Sequence, residues 1–112
     1  MTALDQFLAQ TTSQMVTRDE WDQLSELGEL TVRYAPLVHL WHAFCASVMI
    51  SDGRKLYPMS SSGTSPEDAL KQYWKDLTEL PEGSTIVKNA WRADKCAYRW
   101  DNSLSCWRVV PL

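Results

Sequence analysis

Residues 65–110 read SPEDALKQYWKDLTELPEGSTIVKNAWRADKCAYRWDNSLSCWRVV, and a change of period inside this stretch decides the fold class. Ser65 is a capping residue, Pro66 fits the first helical position, and Glu67 and Asp68 place negative charge in the first turn, where free backbone N–H groups favour it. Leu70, Tyr73, Trp74, Leu77 and Leu80 then recur at helical spacing, which predicts a helix from Pro66 to Glu79 ended by Pro81-Glu82-Gly83. Beyond Gly83 the period falls to two. Thr85 to Arg92, Cys96 to Trp100 and Leu104 to Val110 read as a three-stranded meander, with turns at Ala93 to Lys95 and Asp101 to Ser103.

Working back from the helix, Ser60 to Thr64 reads as a small polar loop, and Lys55 to Met59 as a short strand that Pro58 places near an edge. Leu37 to Ile50 is apolar on both parities, so period alone does not separate a buried strand from a buried helix; the hairpin turn offered by Asp52-Gly53 favours a strand. Leu30, Val32 and Tyr34 alternate with Thr31 and Arg33 as in a half-buried strand ending at Pro36. Two short helices are predicted before it. Leu4, Phe7, Leu8 and Met15 mark one over residues 3–15; the second starts at the capping box Thr17-Arg18-Asp19-Glu20, carries Trp21, Leu24 and Leu27, and stops at Gly28 through a left-handed turn. The order predicts an α+β fold: one antiparallel sheet with helices packed on one face, preceded by two short N-terminal helices.

At 112 residues, 45% apolar and 22% charged, the chain suits one hydrophobic core and is expected to form a single domain over 1–112. It has neither a bilayer-spanning apolar run nor a basic-then-apolar leader, so no membrane association and a cytoplasmic location are expected. Cys45, Cys96 and Cys106 are odd in number and lack C-x-x-C spacing, which favours buried free thiols; Cys96 and Cys106 would face each other only across a turn centred on Asp101. A strand over 37–50 with two apolar faces needs both covered, and a second subunit would do so; a homo-oligomer is therefore expected.

Charge is unevenly placed. Asp5, Asp19, Glu20, Asp22, Glu26 and Glu29 stand against Arg18 in the first 29 residues, whereas Lys88, Arg92, Lys95, Arg99 and Arg108 outnumber Asp94 and Asp101 after Ser84. If Val87, Trp91, Tyr98, Trp100, Trp107 and Val109 point into the core, alternation turns Lys88, Arg92, Arg99 and Arg108 outward as one basic patch, with Asn89 and Trp91 nearby. Such a patch either binds an anionic small molecule or an acidic partner surface, or is a solvated face. Aromatics among arginines can stack on bases, but this parity puts rings and cations on opposite faces; core filling and no direct nucleic-acid binding are expected. His39 and His42 would meet on a helix and diverge on a strand, so no metal site is expected. Ser60 to Gly63 resembles a phosphate loop in composition alone, and neither a nucleophile motif nor an acid–base constellation is present; the expectation is a protein that binds rather than an enzyme, with no cofactor.

Gly63-Thr64-Ser65-Pro66-Glu67-Asp68-Ala69-Leu70 through Pro81, Val87 to Arg92, and Tyr98-Arg99-Trp100-Asp101 resemble small accessory proteins of tailed bacteriophages over residues 63–110. That group includes inhibitors of bacterial immunity, among them the Thoeris anti-defence sponges, which sequester cyclic nucleotide signals; no ligand-binding motif of the sponges is matched. The resemblance implies an immune antagonist acting in the bacterial host cytoplasm by sequestering an anionic nucleotide-like molecule. The alternative is a protein-binding inhibitor of a host defence protein such as a CRISPR nuclease, with acidic helices imitating nucleic acid.

Overall fold

A computed structural model describes residues 18–111. In chain order these form α1 (Arg18–Leu27), β1 (Leu30–Ala35), β2 (Leu40–Cys45), β3 (Val48–Ser51), β4 (Leu56–Pro58), β5 (Ser61–Gly63), α2 (Pro66–Thr78), β6 (Thr85–Lys88), β7 (Cys96–Asp101) and β8 (Cys106–Val110). The helix expected over 3–15 and the capping residue Thr17 lie outside the described residues. No helix among those described is long and apolar enough to cross a membrane.

The fold is α+β with antiparallel strands, but there are two sheets where one was expected: β1-β2-β5 and β4-β3-β6-β7-β8. The division comes from the run 37–50, which is not one strand. Its first residues form the β1–β2 turn, with Leu37 96% exposed, and Ala46-Ser47 turns the chain out of β2 and into β3. His39 and Ser47, at φ 55° and 66°, provide the left-handed residues of these two turns. The run is apolar on both parities because its two strands serve different sheets, so the strand with two uncovered faces, on which a second subunit was argued, is absent.

Ser61–Gly63 is likewise a strand and not a loop, paired with β2 through Trp41–Gly63, His42–Ser62 and Ala43–Ser61. Two contacts fix so polar a segment. The buried Ser61 hydroxyl donates to Asp76 Oδ2 of α2 at 2.6 Å, and a Cβ on Gly63 would lie 2.4 Å from the Ala69 nitrogen, so only glycine lets β5 lie against the start of that helix.

α2 begins as its sequence requires: the Asp68 N–H donates to the Ser65 hydroxyl at 3.2 Å, with Pro66 in the first turn. Ala69, Leu70, Tyr73 and Leu77 are buried, and Trp74 is half-buried at one side of the core. There Trp74, Trp100 and Trp107 pack edge to face, with centroids 4.8, 4.9 and 6.0 Å apart, joining α2 to β7 and β8. α1 adds Trp21, Leu24 and Leu27 to the same core. The helix is tied to the end of the large sheet by Trp107 Nε1–H donating to Gln23 O at 2.7 Å.

Gly28 ends α1 for a different reason from the one expected. It is not among the residues with positive φ; a Cβ there would lie 2.6 Å from Ala46 O, so glycine allows the helix end to touch the β2–β3 turn. Deeper in, the Cys45 N–H donates to the Tyr73 hydroxyl at 3.0 Å, and burial pushes the Cys45 thiol up to about 11. Cys45 is buried as expected, whereas Cys96 and Cys106 are half-buried; all three are free. The β7 and β8 register places Cys106 opposite Asp101, and Cys96 on the other face of the sheet.

The β3–β4 and β7–β8 hairpins are held by aspartates. Asp52 accepts the backbone N–H groups of Lys55 and Arg54, each at 2.9 Å, and these bonds hold its carboxyl below the usual range. Asp101 is lowered first by the Ser103 hydroxyl, which donates at 2.6 Å, with help from the Leu104 and Ser103 N–H groups. A carboxyl depressed by folding stabilises above its unfolded pKa, and that contribution is lost as pH falls through the folded value. Asp52→Asn with Asp101→Asn is therefore expected to flatten the acid limb of the melting-temperature profile between about pH 5 and pH 2; an unchanged limb would refute the assignment.

Candidate functional site

The two sheets diverge where the chain passes from one to the other, and a cleft of about 510 Å³ opens there. One wall is the β2–β3 passage, with Phe44, Cys45, Ser47, Val48 and Met49; another is the β4–β5 passage, with Pro58, Met59 and Ser60. The mouth is formed by Asn89, Ala90, Trp91 and Arg92 of the β6–β7 loop. The lining is dominated by two methionines, aromatic rings and a thiol kept neutral by burial, with few polar groups at the rim, as in small-molecule sites.

The loop over 89–95 is braced rather than loose. Asn89, at φ 56°, leaves the strand path, and its N–H donates to Ser47 O at 2.9 Å. Its side-chain amide donates to Asp94 Oδ2 at 3.2 Å, Arg92 Nε meets Asp94 Oδ1 at 3.2 Å, and the Arg92 and Lys95 N–H groups close turns onto Asn89 O and Arg92 O. This frame keeps Trp91 83% exposed at the mouth. A tryptophan held away from the core forgoes the burial that usually justifies its size, and such exposed aromatics are typical of ligand contacts. The Arg92–Asp94 pair is itself largely exposed and contributes only about 0–1 kcal/mol, so the guanidinium can exchange this partner for another anion at little cost.

The basic patch read from alternation does not form. Ile86 and Val87 are both buried, so the core parity of β6 is ambiguous in sequence, and the register settles it: Ile86 and Lys88 share the core face with Tyr98 and Cys96, while Arg99 and Arg108 share the opposite face. Lys88 accordingly donates to Glu26 O at 3.2 Å, near the C-terminal end of α1. β6 ends at Lys88, four residues short of the expected Arg92, which leaves Trp91 and Arg92 in the loop instead of on opposite faces of a strand. Arg108 lies 3.6 Å from Asp101. Val109, expected inward, is on the core face but exposed on the edge strand β8.

Arg99 closes the 80–84 turn: its guanidinium donates to Pro81 O at 3.3 Å, to Leu80 O at 3.4 Å and to Ser84 O. Charge-assisted bonds of this kind contribute about 1.5–3 kcal/mol, so Arg99→Ala is expected to lower unfolding free energy by roughly that amount while Arg92→Ala leaves it nearly unchanged. Equal effects in denaturant titrations of the two variants would contradict this division of roles.

Of the six residues singled out in the sequence, the fold brings Asn89, Trp91 and Arg92 to one cleft and sends Lys88, Arg99 and Arg108 elsewhere. Sequence reading missed Phe44, Met49 and Met59, whose apolar character does not distinguish a cleft wall from a core. The histidines part company: His39 Nδ1 lies 3.3 Å from the Tyr34 hydroxyl, and His42 Nδ1 lies 2.9 Å from the Ser62 hydroxyl. A second hollow, about 720 Å³ along α2, is more polar; the Lys71 on its wall is already paired with Glu20, and Trp100 Nε1–H with Asn102 Oδ1. No protein-family model, curated protein or solved structure matches the chain, so the resemblance to phage accessory proteins rests on its own residues.

Proposed function

We propose that this protein is a non-catalytic binding protein that sequesters a planar, anionic, nucleotide-like molecule at the cleft between its two sheets. The observation that carries the reading is Trp91, braced in an exposed position at the mouth of an apolar cleft with the Arg92 guanidinium beside it. The indole offers a stacking face, Met49, Met59 and Phe44 apolar walls, and Arg92 and Asn89 donors for anionic and polar edges. Together with the phage resemblance of residues 63–110, this makes antagonism of host immunity by withholding a nucleotide signal the role that follows.

Nucleosides, nucleotides and cyclic dinucleotides screened by thermal shift should include compounds that raise the melting temperature of wild type and not of Trp91→Ala, because a ligand stabilises only the state that binds it. A panel with no stabilising compound, or equal stabilisation of both proteins, would reject the reading. A second reading, capture of a host defence protein, is favoured by the exposed Asp22, Glu26 and Glu29 in and just after α1. Under it, Asp22→Lys with Glu26→Lys would abolish biological activity and Trp91→Ala would not. The exposed tip Tyr34, Leu37 and Val38 would be the contact surface of a homo-oligomer; light scattering at micromolar concentration tests it.

A further inference from the structure

Three side chains from three strands form a row on the outer face of the small sheet. Register pairs Arg33 of β1 with His42 of β2, and His42 with Ser62 of β5. With strands about 4.8 Å apart, the row spans about 10 Å on a hydrogen-bonded base. Ser62 Oγ and His42 Nδ1 are 2.9 Å apart; when the hydroxyl donates to Nδ1, the imidazole proton sits on Nε2, for which the described residues provide no partner. The exposed Arg33 guanidinium stands over the Phe44 ring, 5.8 Å from its centroid, and Phe44 is also a wall of the cleft. Row and cleft are therefore continuous.

β1, β2 and β5 contain no carboxylate. Arg92 and Arg108 have aspartate partners and Lys71 has Glu20, whereas among the described residues no carboxylate pairs with Arg33. A guanidinium and an imidazole N–H, the latter fixed on Nε2 by the Ser62 hydroxyl, in line on a rigid sheet suit the oxygens of a phosphate chain, which need several donors and no opposing negative charge.

We infer that Arg33 and His42, with Ser62 positioning the His42 ring, form an oxyanion subsite that holds the phosphate chain of the ligand, an inference that rests on the cleft reading for where the planar end sits. The ligand class narrows to nucleotides with two or more linked phosphates or phosphodiesters, long enough to reach from Trp91 past Phe44 to Arg33.

Nuclear magnetic resonance of the isotope-labelled protein reads both ends separately, through the His42 ring and the Trp91 indole N–H, with three probes: pyrophosphate, adenosine and adenosine diphosphate. Pyrophosphate is expected to shift the His42 resonances saturably and leave Trp91 unmoved; the diphosphate is expected to shift both and to bind at least about tenfold more tightly than adenosine. In the variant Arg33→Ala with Ser62→Ala, the pyrophosphate response should vanish and the diphosphate should bind within about twofold of adenosine. Unmoved His42 resonances with pyrophosphate, or a tenfold gain that survives in the variant, would overturn the subsite. A pyrophosphate response at His42 that the variant loses, with Trp91 unmoved by adenosine and by the diphosphate, would leave the subsite standing and reject the cleft reading instead.

Discussion

Replacing Leu77 with alanine is expected to cost about 2–5 kcal/mol of unfolding free energy, the largest stability effect predicted for a single substitution in this chain. Leu77 is 1% exposed and belongs to the face of α2 that meets the common core, with Leu70 and Tyr73 on the same helix and Ile50 and Ile86 from the large sheet. Strands hydrogen-bonded to their neighbours cannot easily close in on the vacated volume, so the cavity adds to the lost transfer energy. Urea titration of the two proteins reads the difference through the midpoint at constant slope. Leu80→Ala, at a half-buried position beyond the helix, serves as the comparison and should cost less. A Leu77→Ala cost below about 1 kcal/mol would mean that α2 is not packed into the common core as described.

The largest binding effect is expected from Trp91→Ala combined with Arg92→Ala. Stacking of one base on an aromatic ring contributes about 1–3 kcal/mol and a charge-assisted hydrogen bond about 1.5–3 kcal/mol. Together they predict a loss of affinity between about a hundredfold and ten-thousandfold. The two side chains are neighbours on one braced loop, so their effects need not add, and each single variant is measured with the double. Calorimetric titration with whichever nucleotide stabilises wild type gives the ratio. Both side chains are largely exposed, so melting temperature without ligand should be unchanged. Wild-type affinity in the double variant would move the site away from the cleft mouth.

Local chemistry was readable where one segment contains its own reasons. The Ser65-Pro66-Glu67-Asp68 start and the 70–73–77 stripe determine α2, because capping, a fixed proline φ and a one-sided apolar face all act within a few turns. Asp52-Gly53 determines a hairpin in the same way, through the aspartate's bonds to the next N–H groups and a glycine at φ 89°. Leu30 to Ala35 and the two C-terminal strands were legible from alternation and turn residues.

Other features depended on partners far away in sequence. Nothing within Ser61–Gly63 marks a strand; it becomes one because β2 presents a free edge and Asp76 and Ala69 of α2 accept its hydroxyl and its missing Cβ. The split of 37–50 and the orientation of Lys88 were undecidable in sequence for a common reason: where apolar residues occupy adjacent positions, as at Ile86-Val87, alternation loses its phase, and only pairing with β3 and β7 restores it. The sequence by itself determined the helix, the hairpins and the α+β class. Tertiary structure alone decided that there are two sheets, that a cleft lies at their divergence and that Trp91 stands beside Arg92 at its mouth, because a cleft is made by surfaces that fail to meet, and no local pattern of residues records such a gap.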